Sequence, residues 1–313
     1  AAAVRRFGEL AEKFPESPLA AEGRFHLGEA EYEAQRFPEA QAFYLQALAG
    51  KPTTTIADNA RYKLGWSRFK QGAFDEARAD FETLAAANPS GLIDQTRFMI
   101  AVCLFGAEKY AEALPYFLEH LTAIEASATT GEPIKQLARL HAAQAANKLK
   151  QWEQATELAE GFVSRYHESA ALPEAWFEIA EAHRGEARSE QAIAAYETAA
   201  ASGAARLAAR SRSMIGEILF SDKQYDEAVK QFRRVMFGYD ESAAADVKMW
   251  QAFAAYEAGR CAQVQIGTSQ GAEKQRRVEQ AIEAFKYVVE RHPHDRLAGE
   301  ARKQLEKLSP PAR

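Results

Sequence analysis

The chain repeats itself with a period of about 36 residues, and this period limits the folds that are open to it. Helix-like segments align on six alanines separated by steps of 37, 36, 42, 37 and 36 residues: Ala40, Ala77, Ala113, Ala155, Ala192 and Ala228. A repeat of this length is one supersecondary unit that must bury its apolar face against neighbouring copies. The period therefore predicts a stack of similar units that share a continuous core.

Each repeat carries the same arrangement of small and aromatic residues around its alanine. Twelve residues before the alanine the position is always small, and it is occupied by Gly28, Gly65, Ala101, Ala143, Ala180 and Gly216. Four residues after the alanine stand Tyr44, Phe81, Phe117, Ala159, Tyr196 and Phe232. We interpret each unit as a helical hairpin in which the small residue and the alanine mark a close approach of two backbones. The aromatic side chains would then fill the gaps between hairpins.

The composition agrees with a helical fold and argues against two classes of protein. The 313 residues include 65 alanines, and alanine is the best helix former, so we predict an all-α protein. The formal net charge of −5 argues against a nucleic-acid partner, because such surfaces are usually basic. The longest strongly apolar run, Phe98 to Ala107, is about half of the roughly 20 residues of a transmembrane helix. We therefore predict no membrane span in this sequence.

The sequence contains no convincing pattern of catalytic or metal-binding residues. Cys103 and Cys261 lie far apart and form no Cys-x-x-Cys pair. Gly267–Gly271 spells the Gly-x-Ser-x-Gly of a nucleophile elbow, but that elbow requires a preceding strand, so we interpret it as a loop. We interpret His292–Asp295 as a solvated turn. The prediction is a non-catalytic protein without metal or cofactor; an enzyme would need catalytic residues in the extra segment at 258–276 or in other domains.

The first two repeats carry a recognisable signature. The second repeat contains Leu64, Gly65, Phe69, Gly72, Phe74, Ala77 and Phe81, and the first contains Leu27, Gly28, Tyr32, Phe37, Ala40 and Tyr44. This pattern resembles the tetratricopeptide repeat family, and the resemblance extends over essentially the whole chain. It implies a right-handed α-solenoid of helix-turn-helix repeats, with about seven full hairpins and half-units at both ends.

The resemblance also implies a division of the chain into repeats. We expect one solenoid over 1–313, made of a second helix at 1–15, repeats at 17–52, 54–89, 90–126, 132–167, 169–203, 205–240 and 242–293, and a capping helix at 295–308. The last repeat would hold an insertion near 258–276. Because the first hairpin lacks its first helix, we expect the natural protein to extend further N-terminally, where a signal or anchor would lie.

Two joints between repeats suggest a subgroup of this family. Phe14–Ser17 and Arg165–Ser169 are similar to joints in bacterial envelope proteins, a subgroup that includes BamD and the Tol-Pal coordinator CpoB. This likeness implies a place in the periplasm or cell envelope and a role in assembling or coordinating outer-membrane or peptidoglycan machinery. The alternative is a cytoplasmic adaptor or regulator of a multiprotein complex.

In this family the first helices of the hairpins line the concave face, and positions i, i+4 and i+7 point into it. In the first three hairpins these positions are Phe25, Glu29, Tyr32, Tyr62, Trp66, Phe69, Phe98, Val102 and Phe105. All but Glu29 are apolar or aromatic, whereas the later repeats have mixed polar residues there. We predict a groove for a protein or peptide partner with apolar or aromatic side chains. The alternative is that these rings only pack against each other or against a preceding unit.

Overall fold

A computed structural model of the chain describes residues 2–50, 52–87, 91–128, 130–201 and 204–308. Within these ranges the protein consists of sixteen α-helices and contains no strand, which confirms the predicted all-α class. The helices are α1 (Ala2–Lys13), α2 (Pro18–Glu33), α3 (Phe37–Ala49), α4 (Thr54–Lys70), α5 (Phe74–Ala86), α6 (Ile93–Gly106), α7 (Tyr110–Ala126), α8 (Glu132–Lys148), α9 (Trp152–Arg165), α10 (Leu172–Gly185), α11 (Ser189–Ala200), α12 (Ala205–Ser221), α13 (Tyr225–Phe237), α14 (Ala245–Ile266), α15 (Gly271–Arg291) and α16 (Ala298–Leu308). The expected repeat limits at 89/90 and 203 lie outside the described residues.

The helices group into two compact units. The N-terminal unit comprises the residues up to Gln151 and contains α1–α8, and the C-terminal unit begins at Trp152 and contains α9–α16. Within each unit every helix packs against the next one. Alternate helices also touch, namely α2 with α4, α6 with α8, α10 with α12, and α12 with α14. Within each unit these even-numbered helices, the first helices of the hairpins, lie on the same side of the α-solenoid fold.

The repeated positions of the sequence form the core. The aligned alanines are fully buried, as are the large rings four residues after them, including Tyr44, Phe81 and Phe232. A Cβ added at Gly65 would lie 2.7 Å from Phe81 Cζ, and one added at Gly216 would lie 2.5 Å from Phe232 Cε1. The small residue therefore faces an aromatic ring of its own hairpin. The interpretation from the sequence, in which two backbones meet at these positions and the rings lie between hairpins, is wrong in this detail. The ring of the same hairpin occupies the space that the missing side chain leaves.

Enlarging this position should destabilise the fold. We expect Gly65→Ala to lower the free energy of unfolding by about 1–3 kcal/mol, because the new methyl group meets the buried ring of Phe81. Gly299→Ala is the matched control, since a Cβ there meets nothing within 4 Å and alanine favours a helix by about 1 kcal/mol. Urea unfolding followed by circular dichroism measures both values. Equal effects of the two substitutions would contradict the ring contact.

The last hairpin is longer than the others. Its helices α14 and α15 contain 22 and 21 residues and are joined through a turn that begins at Gly267. The extension of α15 is tied to α13, because Arg277 donates to Asp226 over 2.6 Å and also pairs with Glu273 at 2.9 Å. Gln265 of α14 donates to the same aspartate over 3.2 Å. These contacts hold the extension as an ordered part of the C-terminal unit.

Candidate partner-binding surface

The first helices α2, α4 and α6 of the N-terminal unit carry the nine residues of the predicted groove. Phe25 and Phe98 are only 8% and 4% exposed, so their rings belong to the core. The other seven, Glu29, Tyr32, Tyr62, Trp66, Phe69, Val102 and Phe105, are half-buried. We call these seven residues the aromatic surface. The surface that a partner can reach is therefore smaller than the nine residues predicted from the sequence.

A run of rings follows one side of α4. The ring centroids of Tyr62 and Trp66 are 6.4 Å apart, and those of Trp66 and Phe69 are 5.7 Å apart, both edge to face. The ring of Tyr62 also packs against the buried ring of Phe81, with 5.7 Å between the two centroids. Lys70 Nζ lies 5.7 Å from the centroid of the Trp66 ring and makes a cation–π contact with it. The three rings thus form a continuous patch that rests on the core.

The aromatic ring near the end of the first helix also packs against a second ring on the other side of the hairpin turn. Centroid distances of 5.2 to 5.4 Å join four such edge-to-face pairs, Tyr32–Phe37, Phe69–Phe74, Phe105–Tyr110 and Phe220–Tyr225. Because Phe220–Tyr225 lies in the C-terminal unit, this contact is a general device of the hairpins rather than a property of the aromatic surface. Tyr32, Phe69 and Phe105 therefore stabilise their turns whether or not a partner binds.

Glu29 is the only acidic group of the aromatic surface, and it is held from two sides. The Tyr44 hydroxyl donates a hydrogen bond to it, and Lys63 Nζ lies 3.0 Å from its second oxygen. Burial, together with the hydrogen bond to this carboxylate, raises the pKa of Tyr44 above its ordinary value, so the hydroxyl stays protonated and remains a donor. Lys63 also lies 5.0 Å from the centroid of the Tyr32 ring. Glu29 thus orients Lys63 beside the rings.

A buried charge that was not predicted from the sequence lies beneath this surface. Asp80 of α5 is buried and accepts from Arg68 over 2.7 Å, while Arg61 lies 3.6 Å away. Burial raises the pKa of Asp80, and the two arginines oppose that shift. Both arginines belong to α4, so the cluster fastens the helix that carries Trp66 to its partner helix. The only signal in the sequence is two arginines seven residues apart on one side of α4.

The C-terminal unit has charged residues where the N-terminal unit has rings. At the equivalent positions its first helices α10, α12 and α14 carry Glu181, Arg184, Glu217, Phe220 and Arg260. Arg184 joins two helices, since it lies 3.1 Å from Glu181 and 3.5 Å from Glu217. Arg260 pairs with Glu257 at 2.8 Å. The apolar stripe is therefore a feature of the N-terminal unit.

The buried carboxylate Glu257 allows a test by pH. Burial raises its pKa above the ordinary value although Arg260 opposes the shift. Ionising Glu257 thus costs more in the folded than in the unfolded protein, and wild-type stability falls as the pH rises from about 4.3 through the folded pKa. We expect the stability of Glu257→Gln, measured relative to wild type by urea unfolding, to increase from pH 4 to pH 7. A decrease for Glu257→Gln would contradict the raised pKa.

The residues considered for catalysis or metal binding are not arranged for either. Gly267–Gly271 follows helix α14 rather than a strand. Both cysteines are buried, and burial raises the pKa of each thiol to about 12, which leaves it in the weakly nucleophilic neutral form. Among the described residues no group of three or more His, Cys, Asp or Glu is placed to hold a metal ion. In the same part of the chain, no helix combines the length and apolar character needed to cross a membrane.

A tetratricopeptide repeat family model matches residues 1–53, 62–129 and 177–243, which together make up more than half of the chain. The chain belongs to the tetratricopeptide repeat family. Members of this family generally serve as protein-interaction scaffolds and typically lack catalytic activity of their own. Comparison with curated proteins gave no match.

Several solved structures share the fold at low sequence identity. A tetratricopeptide repeat protein from Parabacteroides merdae is 12% identical with a TM-score of 0.60, and the alignment covers 92% of this chain and 98% of that one. The PilF protein of Pseudomonas aeruginosa is 18% identical with a TM-score of 0.52, covering 74% and 97%. A signal transduction ATPase with a tetratricopeptide repeat sensor from Pyrococcus horikoshii is 13% identical with a TM-score of 0.67, covering 97% of this chain and 46% of the ATPase. These likenesses concern the fold alone.

Proposed function

We propose that the aromatic surface binds a partner polypeptide through aromatic or large apolar side chains, and that the protein acts as a non-catalytic scaffold. The run of Tyr62, Trp66 and Phe69 on α4 supports this proposal. These rings are half-buried, so part of each remains accessible, and aromatic side chains of this kind carry much of the binding energy in protein interfaces. Lys63 and Lys70 beside the rings would provide a polar rim.

The competing explanation is that the rings serve only the fold. It accounts for Phe69, which packs against Phe74, and for Tyr62, which packs against Phe81. It accounts less well for Trp66, because the Trp66 ring packs against Tyr62 and Phe69 of its own helix and lies under Lys70. Trp66 is therefore the residue at which the two explanations separate.

The test is the capture of partners from lysate of the source organism on the immobilised chain. Trp66→Gln removes the central ring, and Leu45→Gln, on the second helix α3, removes another apolar side chain that is 42% exposed. We expect a partner that is retained by the wild type and by Leu45→Gln and is lost by Trp66→Gln. Retention of every partner by a folded Trp66→Gln would contradict the proposed surface.

For the cellular role we propose the bacterial envelope, where the protein would help assemble or coordinate outer-membrane or peptidoglycan machinery. The support for this placement is the likeness of the joints Phe14–Ser17 and Arg165–Ser169 to those of envelope members of the family. A cytoplasmic adaptor is the alternative. Fractionation of cells that produce the full natural protein decides between them, because an envelope protein is released with the periplasm or recovered with membranes, whereas an adaptor stays in the cytoplasmic fraction.

A further inference from the structure

Helix α4, which carries the three rings of the aromatic surface, is also the most basic first helix of the N-terminal unit. It contains Arg61, Lys63, Arg68 and Lys70 and a single acid, Asp58. Asp58 precedes Lys70 by twelve residues, which is about 18 Å along a helix. A carboxylate that neutralises the end of α4 must therefore come from another helix.

Neighbouring helices supply two carboxylates, and these pair with the other three cations. Asp80 of α5 is shared by two guanidinium groups, with Arg61 at 3.6 Å and Arg68 at 2.7 Å. Glu29 of α2 lies 3.0 Å from Lys63 Nζ. The four cations of α4 thus face two carboxylates, so the helix that carries the rings has positive charge in excess. Because Glu29 is held by Lys63, the acid within the aromatic surface does not stand free to repel an anion.

Lys70 is the cation that remains without a counter-ion. Its side chain is exposed, and its ammonium group makes no ion pair with a described residue. The helices packed against α4 carry three exposed carboxylates that do not pair with it, Glu33, Glu39 and Glu76. Lys70 Nζ lies 5.7 Å from the centroid of the Trp66 ring, and this contact leaves its N–H groups able to bind an anion. The free charge therefore lies beside the ring on which a partner side chain would pack.

The repeat does not require a lysine at this position. Five residues after the small position, where the second hairpin has Lys70, the other aligned hairpins have Glu33, Gly106, Lys148, Gly185 and Ser221. Lys148 is the one other lysine, and the residue one turn before it is Gln144 rather than an aromatic residue. Among the aligned hairpins, α4 alone combines a lysine here with a ring one turn earlier. This combination belongs to the aromatic surface and not to the general packing of the hairpins.

We propose that the polypeptide bound by the aromatic surface carries an aspartate or glutamate close to the apolar or aromatic residue that packs on Trp66, and that this carboxylate pairs with Lys70. The inference rests on the proposed function and adds the charge of the partner. A bound partner displaces water from the ammonium group, which strengthens a charge-assisted hydrogen bond. A basic residue in the same place would meet Lys70 as a like charge, so the surface distinguishes partners by the sign of their charge.

The test uses three sets of N-acetylated, C-amidated heptapeptides with a central tryptophan. The flanking positions are mixed from Ala, Ser and Leu, except that one position within two residues of the tryptophan is Glu, Gln or Lys and carries the set's only charge. Retention on the immobilised full chain is measured by mass spectrometry at low and at high salt. We expect the Glu set to be retained about three- to tenfold better than the Gln set at low salt, and the Lys set to be retained least. The difference should shrink at high salt, because screening weakens an exposed ion pair.

Charge substitutions then assign the preference to one residue. Lys70→Gln should abolish the difference between the Glu and Gln sets, and Lys70→Glu should reverse the order so that the Lys set is retained best. The Gln set reports any loss that does not depend on charge, such as a change in the contact with Trp66. Lys148→Gln, at the same repeat position on α8, is the matched control and should leave the preference within about twofold of wild type. A preference for Glu that survives Lys70→Glu, or equal effects of Lys70→Gln and Lys148→Gln, would overturn the assignment.

The outcomes separate this inference from the proposed function. Equal retention of the Glu and Gln sets by the wild type, with retention lost in Trp66→Gln, would overturn the charge preference and leave the aromatic surface as the binding site. Retention that is unchanged in Trp66→Gln, or no retention of any set, would contradict the proposed function and this inference together. Better retention of the Lys set than of the Glu set by the wild type would reverse the sign of the partner's charge and overturn the inference alone.

Discussion

Replacing Phe232 with alanine is expected to lower the free energy of unfolding of the C-terminal unit by about 3–5 kcal/mol. The ring of Phe232 is fully buried and fills the space that Gly216 leaves open in the facing helix. Alanine would lose the apolar contacts of the ring and leave a cavity that a stack of helices cannot close without shifting its repeats. Urea unfolding followed by circular dichroism, with hydrogen exchange of α12 and α13 as a local readout, measures the loss.

The same helix provides the control for this prediction. Phe237 ends α13 and is 53% exposed, so Phe237→Ala removes the same side chain from a site that is open to solvent. We expect it to cost less than about 1 kcal/mol. If the two variants were equally destabilised, the assignment of the repeated ring position to the core would be wrong.

The second large effect is expected in partner binding. Trp66→Gln should weaken the affinity for the captured partner by about 30-fold or more, since truncated interface tryptophans commonly cost about 2 kcal/mol or more. Trp66→Phe should retain part of the affinity, because it keeps a ring next to Tyr62 and Phe69. Leu45→Gln should change the affinity less than threefold, which is about the range of surface substitutions away from an interface. Isothermal titration with the purified partner gives the three values.

Stability measurements must accompany this comparison. The Trp66 ring touches rings of its own helix, so its replacement should leave the melting temperature within a few degrees of the wild type. Weaker binding together with an unchanged melting temperature supports the proposed surface. A large drop in melting temperature with unchanged binding would instead assign Trp66 to the core.

The sequence predicted the fold class because its strongest signals are local and periodic. The spacing of the aligned alanines and the small residues is the same in the first six hairpins, a ring follows in five of them, and each of these positions is buried. The contact made by the small residue was predicted incorrectly, because periodicity shows which residues face inward but not which inward residue they meet. Gly65 and Phe81 lie sixteen residues apart on different helices, and only the packed structure joins them.

The turns within the hairpins contain a backbone conformation that their residue types do not predict. The residue five positions before the aligned alanine has a positive φ in six hairpins, yet only Gly72 is a glycine. Ala187 has a φ of 58° there, and Lys150 a φ of 60°. Such a backbone costs a non-glycine residue about 1–2 kcal/mol, so the packing of the helices on either side imposes it. Residue preferences alone could not have located these turns.

The candidate sites were predictable to different degrees. Helical spacing brought together Tyr62, Trp66 and Phe69 correctly, because all three lie on one helix. It could not show that Phe25 and Phe98 are buried, since that depends on the neighbouring hairpins. A cleft lined by the end of α13, the start of α14 and the end of α15 in the C-terminal unit was not predicted, because its residues come from three helices and a loop. Its signal in the sequence, Gln251 and Tyr287 at positions where earlier repeats differ, becomes meaningful only once their shared contact with Met236 is known.

The most direct test of the proposed function is photo-crosslinking with p-benzoylphenylalanine placed in the full natural protein in its own cells. One variant carries the crosslinker in place of Phe69 on α4, and the other carries it in place of the exposed Leu45 on α3. We expect a partner protein to be crosslinked from position 69 and not from position 45. Crosslinking from position 45 alone, with none from position 69, would show that the partner binds elsewhere and would contradict the aromatic surface as the binding site.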